Sequence, residues 1–224
     1  MKKKIFITID TECAGLKDPV YDIGWTIHDK KGEIFAQYHA LVREVFTDGE
    51  KMVKAYFAKK IFSDYAPMLD AGEISIQNWS TIVDIMRGQI EEFGVNVVVA
   101  YNLGFDVRAL KMTNDMFGDG SPVFAGKPVQ LLDLWQFACE VLLNTATYKK
   151  TANANGWVSP VGNIKTSAEM AYRFIINNPE FIEDHTALSD ALIETEILAK
   201  CFAKKGKVPY GVMNAQPWRI VNEK

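Results

Sequence analysis

Three short segments of this chain place acids or a histidine where such residues are costly. Asp10 and Glu12 follow directly on Ile5-Phe6-Ile7-Thr8-Ile9, a run whose β-branched and aromatic content reads as a strand. Side chains two apart in a strand share a side, roughly 7 Å apart along the chain, so two carboxylates so placed can grip the same pair of cations. Taken alone, the pair reads more readily as a strand end emerging into solvent, because so short a motif recurs by chance. Asp106 comes after Val97-Val98-Val99-Ala100-Tyr101 and the turn Asn102-Leu103-Gly104-Phe105, and it opens a helix expected over about 107–116. On its own it fits a helix N-cap equally well. The third segment, His185-Thr186-Ala187-Leu188-Ser189-Asp190, leads into a helix expected over 186–204. Five residues of helix turn through about 500°, so His185 is expected to precede the helix, its ring reaching back over the site. A lone histidine at a helix start is more commonly structural or solvated.

In order and spacing, these segments resemble the DEDDh exonuclease superfamily, which has a ribonuclease H-like fold. Asp10-Thr11-Glu12 is similar to its D-x-E, Asn102-x-Gly104-Phe105-Asp106 to its N-x-x-F-D, and His185-x-Ala187-x-x-Asp190 to its H-x-A-x-x-D. The resemblance covers roughly residues 4–202. It implies a metal-dependent 3′–5′ exonuclease that releases nucleoside 5′-monophosphates from ends of single-stranded DNA or RNA. Asp10, Glu12, Asp106 and Asp190 would hold two Mg²⁺ or Mn²⁺ ions about 3.5–4 Å apart, and His185 would be the general base. Four converging carboxylates repel one another unless cations neutralise them, which agrees with that implication. Two other readings stand beside it: a proofreading subunit or partner of a polymerase, and a non-catalytic nucleic-acid-binding module that kept the fold. A homodimer, as several relatives form, is also left open.

The chain departs from the family pattern in places. Cys13-Ala14-Gly15 stands where the family often has Thr-Thr/Ser-Gly, and Tyr101 where a histidine often precedes the asparagine. Residues 43–94 do not align with it. Thr11, Cys13, Asn102 and Phe105 are the expected substrate contacts, although the Asn102 side chain serves equally to stabilise a turn. Phe46, Tyr56 and Phe57 are further stacking candidates, but their helical spacing reads better as core. Lys51, Lys54, Lys59 and Lys60 form a basic cluster, which usually means a solvated face and here could also steer a phosphate backbone.

The elements that must position these residues are legible in outline. Strands are expected at 5–10, 20–28 and 33–42, the last two joined by a turn at Asp29-Lys30-Lys31-Gly32, as an antiparallel meander. Apolar spacing predicts helices through Met52, Val53, Tyr56, Phe57, Lys60 and Ile61 and through Ile82, Ile85, Met86 and Ile90, the second closed by Gly94. Further strands are expected at 95–101 and 129–133, a helix from there to Leu143, a loop at 150–165, and a helix at 166–177. Together they predict a three-layer α/β/α fold with a mixed five-stranded sheet and helices on both faces, one domain over 1–205 and an irregular tail over 206–224.

Composition sets the outer limits. With 48% hydrophobic and 24% charged residues in 224, the chain can bury a sizeable core, which excludes disorder over most of its length. Cys13, Cys139 and Cys201 are odd in number and far apart, which excludes a disulfide framework and suits a reducing, cytoplasmic compartment. The apolar run Ile5–Ile9 is too short for a signal peptide, and no stretch is long enough to span a membrane. A net charge of −3 argues against a protein that coats nucleic acid. The four proposed ligands outnumber that acid excess, so a chain end gripped locally through metals remains compatible with it.

Overall fold

The computed structural model describes residues 4–56, 59–124, 129–205 and 208–223. At its centre lies β1 (Ile5–Cys13), flanked by β2 (Val20–Asp29) and β3 (Ile34–Val42) in an antiparallel meander. Gly32, at φ +84°, makes the turn between the last two. The short edge strand β4 (Ser75–Gln77) runs parallel to β3, while β5 (Val97–Ala100) and β6 (Gln130–Asp133) run parallel to β1 and to each other. The order is β4-β3-β2-β1-β5-β6, six strands rather than the expected five. At three residues, β4 is too short for an alternating pattern to reveal it.

The helices are α1 (Arg43–Phe46), α2 (Gly49–Met52), α3 (Ala66–Asp70), α4 (Trp79–Glu92) and α5 (Leu103–Phe117). They continue with α6 (Leu134–Ala138), α7 (Ala146–Ala154), α8 (Ala168–Ile176), α9 (Ala187–Lys204) and α10 (Arg219–Asn222). Alternation along the strands divides the interior in two. Ile7, Ile9 and Val98 pack with Trp79, Ile82 and Met86 of α4 and Leu110 of α5. Phe6, Val97 and Val99 pack on the opposite face with Phe137 of α6 and Ile193, Ile197 and Leu198 of α9. Each large apolar side chain buried there contributes about 1.5–3 kcal/mol. The result is the expected α/β/α arrangement, with Asp10 and Glu12 sharing the side of Phe6, toward α9, and Thr11 pointing the other way, toward α5.

Four local expectations are corrected. The helix expected through 52–61 is interrupted: α2 ends at Met52, residues 53–56 are turn and bend, and a π-helical turn at Ile61–Tyr65 leads into α3. Val53 and Tyr56 are 73% and 87% exposed, so the apolar spacing does not mark a buried face; Phe57 lies outside the described residues. Helix α5 starts four residues early, because Asn102 adopts the left-handed conformation (φ 67°) and turns β5 straight into it. The predicted loop at 150–165 begins as helix, since Thr145 caps α7 and Tyr148 and Ala152 bury an i,i+4 stripe that its polar neighbours conceal. The helix after β6 changes to a π-helical turn at Cys139–Leu143. Beyond residue 208 the chain is mostly irregular, but Val221 of α10 is buried and Asn222 bonds both backbone groups of Ile164. Among the described residues no helix is long and apolar enough to cross a membrane, and the three cysteines are unpaired.

Candidate active site

Three elements converge at the end of β1 and deliver the four acids. Asp10 and Glu12 leave β1 on its α9 side, Asp106 lies in the first turn of α5, and Asp190 in the first turn of α9. Because α5 begins at Leu103, Asp106 is not the N-cap; that position belongs to Asn102. The Thr11 hydroxyl donates to Asp106 Oδ1 at 2.8 Å and so ties α5 to the strand. Helix α9 lies directly on β2. The residue opposite Asp10 in the register is Gly24, and a Cβ there would come within 2.2 Å of the Leu188 backbone nitrogen. Only glycine permits that approach, which brings Asp190 over β1.

His185 precedes α9 in a left-handed conformation (φ 57°), as its expected position outside the helix requires. Its Nδ1 lies 3.8 Å from Asp190 Oδ2 and 3.7 Å from Glu183 Oε2, and its side chain is 40% exposed. Ligand-capable atoms of Glu12, His185 and Asp190 all fall within 4.8 Å of one another.

Crowding shows in the proton affinities. Burial, followed by the charges of Asp190, Asp106, Glu194 and Glu12, holds Asp10 well above the carboxylate range. Glu12 is pushed up to about 8 and Asp190 to about 9, each mainly by burial, with Lys60 opposing. Asp106 rises to about 7 by burial, with the Thr11 hydrogen bond opposing. The His185 pKa is lowered by burial and then by Lys60, both of which favour the neutral ring.

Three participants were not assigned to the site from the sequence. Glu194, 2% exposed and one turn beyond Asp190 on the same face of α9, accepts the Tyr101 backbone N–H at 3.0 Å; its i,i+4 spacing from Asp190 was the available signal. Asp22, opposite Glu12 on β2, is fully buried and accepts from His39 Nε2 (2.8 Å), the Tyr65 hydroxyl (2.7 Å) and the Ala187 backbone N–H (3.1 Å). It thereby fastens the start of α9, and an acid set among Val20, Tyr21 and Ile23 was the available signal. Lys60 departs from the solvated face expected of its cluster: it is 9% exposed, donates to the His185 carbonyl, and acts electrostatically on Glu12, Asp190, Asp184 and Asp22. Lys51 and Lys54 do lie outside, the former paired with Asp48 at 2.9 Å.

The expected substrate contacts do not gather in one place. Thr11 is buried and its hydroxyl is engaged by Asp106; Cys13 is half-buried, its thiol raised to about 12 by burial. Phe105 lines a groove with Leu16, Lys17, Arg108 and Met112, whereas Asn102 lines a separate cavity with Tyr101 and Trp135. Phe46 packs edge-on against Tyr65, as core, while Tyr56 is exposed.

The donor set fits hard divalent cations. It consists of carboxylate oxygens with one imidazole, and Asp190 Oδ1 is buried without a hydrogen-bond partner.

No protein-family model matches this sequence, and no curated protein matches it. Solved structures do. Apo exonuclease I superposes with a TM-score of 0.54 over 91% of this chain and 43% of its own, at 13% identity. Escherichia coli exonuclease I in complex with a dA16 oligonucleotide gives 0.53 over 88% of this chain and 41% of its own, at 11% identity. Exonuclease X in complex with 5′ overhanging duplex DNA is similar over 88% of this chain and 91% of its own, at 19% identity and a TM-score of 0.47. This chain therefore spans about two fifths of the exonuclease I chains. The likeness establishes the fold: the chain has the ribonuclease H-like α/β fold of exonuclease I.

Proposed function

We propose that the protein is a metal-dependent 3′–5′ exonuclease of the DEDDh type that releases nucleoside 5′-monophosphates from single-stranded DNA or RNA ends. The observation that carries this reading is the convergence of Asp10, Glu12, Asp106 and Asp190 from β1, α5 and α9, with His185 beside them at the solvent boundary. Exonuclease I, which shares the fold, binds a dA16 oligonucleotide, and the same substrate class is assigned here.

When bound, two Mg²⁺ or Mn²⁺ ions would neutralise the acids, polarise the scissile phosphate and stabilise the leaving 3′-oxygen. Asp10, Glu12, Asp106 and Asp190 would hold them. Thr11 fixes the Asp106 carboxylate, and Asp22 fixes the start of α9 just beyond His185. His185, its neutral form favoured by burial and its side chain partly open to solvent, takes the proton of the attacking water at Nε2. Lys60 holds the His185 carbonyl and lowers the cost of assembling the acids before metals arrive.

The test compares wild type with Asp190→Asn and His185→Ala on single-stranded DNA and RNA, with Mg²⁺, Mn²⁺ or EDTA. Activity is expected only with divalent cations, lost in Asp190→Asn and reduced by about 10²–10⁴ in His185→Ala. Undiminished activity in His185→Ala would remove the general-base assignment, and undiminished activity in EDTA the whole mechanism.

A further inference from the structure

Next to Asn102, the residue that opens α5, lies a cavity of about 570 Å³ lined by Tyr101, Asn102, Trp135, Asn163 and Trp218. Two of its wall residues are tied to the site. Tyr101 donates its backbone N–H to Glu194, and Asn102 leads into the helix that carries Asp106. Asp133, whose charge acts on Asp106, caps α6 through the backbone N–H groups of Trp135 and Gln136.

Its walls are held in place. Tyr101 and Trp135 stack with centroids 6.3 Å apart and planes 24° apart. The Trp135 indole donates to Thr166 Oγ1 at 2.9 Å, and the Tyr101 hydroxyl to the Thr166 carbonyl at 2.6 Å. On the far side, Asn222 fastens the segment bearing Trp218 to Ile164 by two hydrogen bonds, at 2.7 and 3.1 Å. Arg219 lies over the Trp218 ring at 5.6 Å, a cation beside the aromatic wall. Aromatic faces with amide groups at the rim and a cation nearby suit a planar heterocycle attached to a phosphodiester, and the size suits a ligand of nucleotide dimensions.

We infer that this cavity is a nucleobase subsite: it receives the base of a nucleotide upstream of the 3′ terminus, stacked on Trp135 and Trp218, while the terminal phosphodiester lies at the acids. The inference rests on the exonuclease reading and adds the path of the strand across the C-terminal ends of β5 and β6. It assigns a binding role to the tail and to the 155–166 segment, whose lip residue Val161 is 82% exposed.

The variants are Trp218→Leu, Trp135→Phe and Val161→Glu, the last an exposed change that places a negative charge where the strand would enter. Each is assayed on a single-stranded octanucleotide and on the p-nitrophenyl ester of thymidine 5′-monophosphate, which fills only the terminal position. Binding of a phosphorothioate octanucleotide is followed by tryptophan fluorescence. For Trp218→Leu and Val161→Glu, octanucleotide affinity is expected to fall about tenfold, with KM rising likewise and ester hydrolysis unchanged. Quenching should weaken in Trp135→Phe and Trp218→Leu. Unchanged octanucleotide affinity in all three variants overturns the subsite. An equal loss on octanucleotide and ester also overturns it, in favour of a structural role. If wild type hydrolyses neither substrate, the exonuclease reading has failed; if it hydrolyses both and the variants match it, only the subsite has failed.

Discussion

Gly24→Ala is the perturbation most tightly determined by the geometry. The added Cβ would lie 2.2 Å from the Leu188 nitrogen and 2.4 Å from its Cα, both backbone atoms at the start of α9. Relief to ordinary contact requires the helix end to recede by about 1.2 Å, since close-packed interiors leave no slack to absorb it. That end carries His185 and Asp190, whereas Asp10, directly across the register from Gly24, stays with the sheet. A displacement of about 1 Å between catalytic groups costs about 10²-fold in rate, and overpacking of this kind costs about 1–3 kcal/mol of stability. The assay pairs kcat/KM on a single-stranded oligonucleotide with urea unfolding. Gly88→Ala serves as the contrast: Gly88 sits on the exposed side of α4 with open space around its Cβ position. It should gain up to about 1 kcal/mol with activity unchanged. Wild-type activity and stability in Gly24→Ala would refute the argument that close approach of α9 to β2 assembles the site.

Three further outcomes follow from the same geometry. Asp22→Ala removes a buried acceptor from His39, Tyr65 and the Ala187 N–H and should cost about 3 kcal/mol in denaturant unfolding, with Asp22→Asn costing less; a wild-type midpoint for Asp22→Ala would contradict this. Lys60→Met removes a charge that lowers the His185 pKa, so an NMR titration should show that pKa rise, and an unchanged or lower value would show that Lys60 does not act on the ring. Glu12, Asp106 and Asp190 hold their protons to about 8, 7 and 9 when folded, against about 4 when unfolded, so the folded metal-free protein binds more protons in between. Their contribution to stability is therefore present below pH 4 and lost as pH rises to about 9. His28, buried and lowered to about 4, opposes that slope only up to about pH 6.5. Added Mg²⁺ should accordingly raise the melting temperature more at pH 8 than at pH 5; equal gains at the two pH values would count against the acids as the metal site.

Much of this was legible because local and long-range signals agreed. The run Ile5–Ile9 could be read as a strand, and the spacing of Asp10 from Glu12 placed both on one of its sides, where α9 meets them. His185 could be placed outside α9 because five helical residues would have turned it away from Asp190. What escaped depends on contacts between distant residues. Nothing local to Lys60 distinguishes it from Lys59, yet the π-helical segment beyond it directs Lys60 to the His185 carbonyl. The apolar spacing around Val53 and Tyr56 imitated a core helix, yet both side chains are exposed. Asn102 looked like a turn residue and is one, but its left-handed backbone merges the turn with the helix and moves Asp106 inward.

The most direct test of the central claim is a time course on a 5′-labelled single-stranded oligonucleotide with Mg²⁺, comparing wild type with Asp10→Asn. The account predicts a ladder shortened one nucleotide at a time from the 3′ end, nucleoside 5′-monophosphates as products, and no shortening in EDTA or in Asp10→Asn. Internal fragments from the first time point, or shortening that persists in Asp10→Asn, would contradict it.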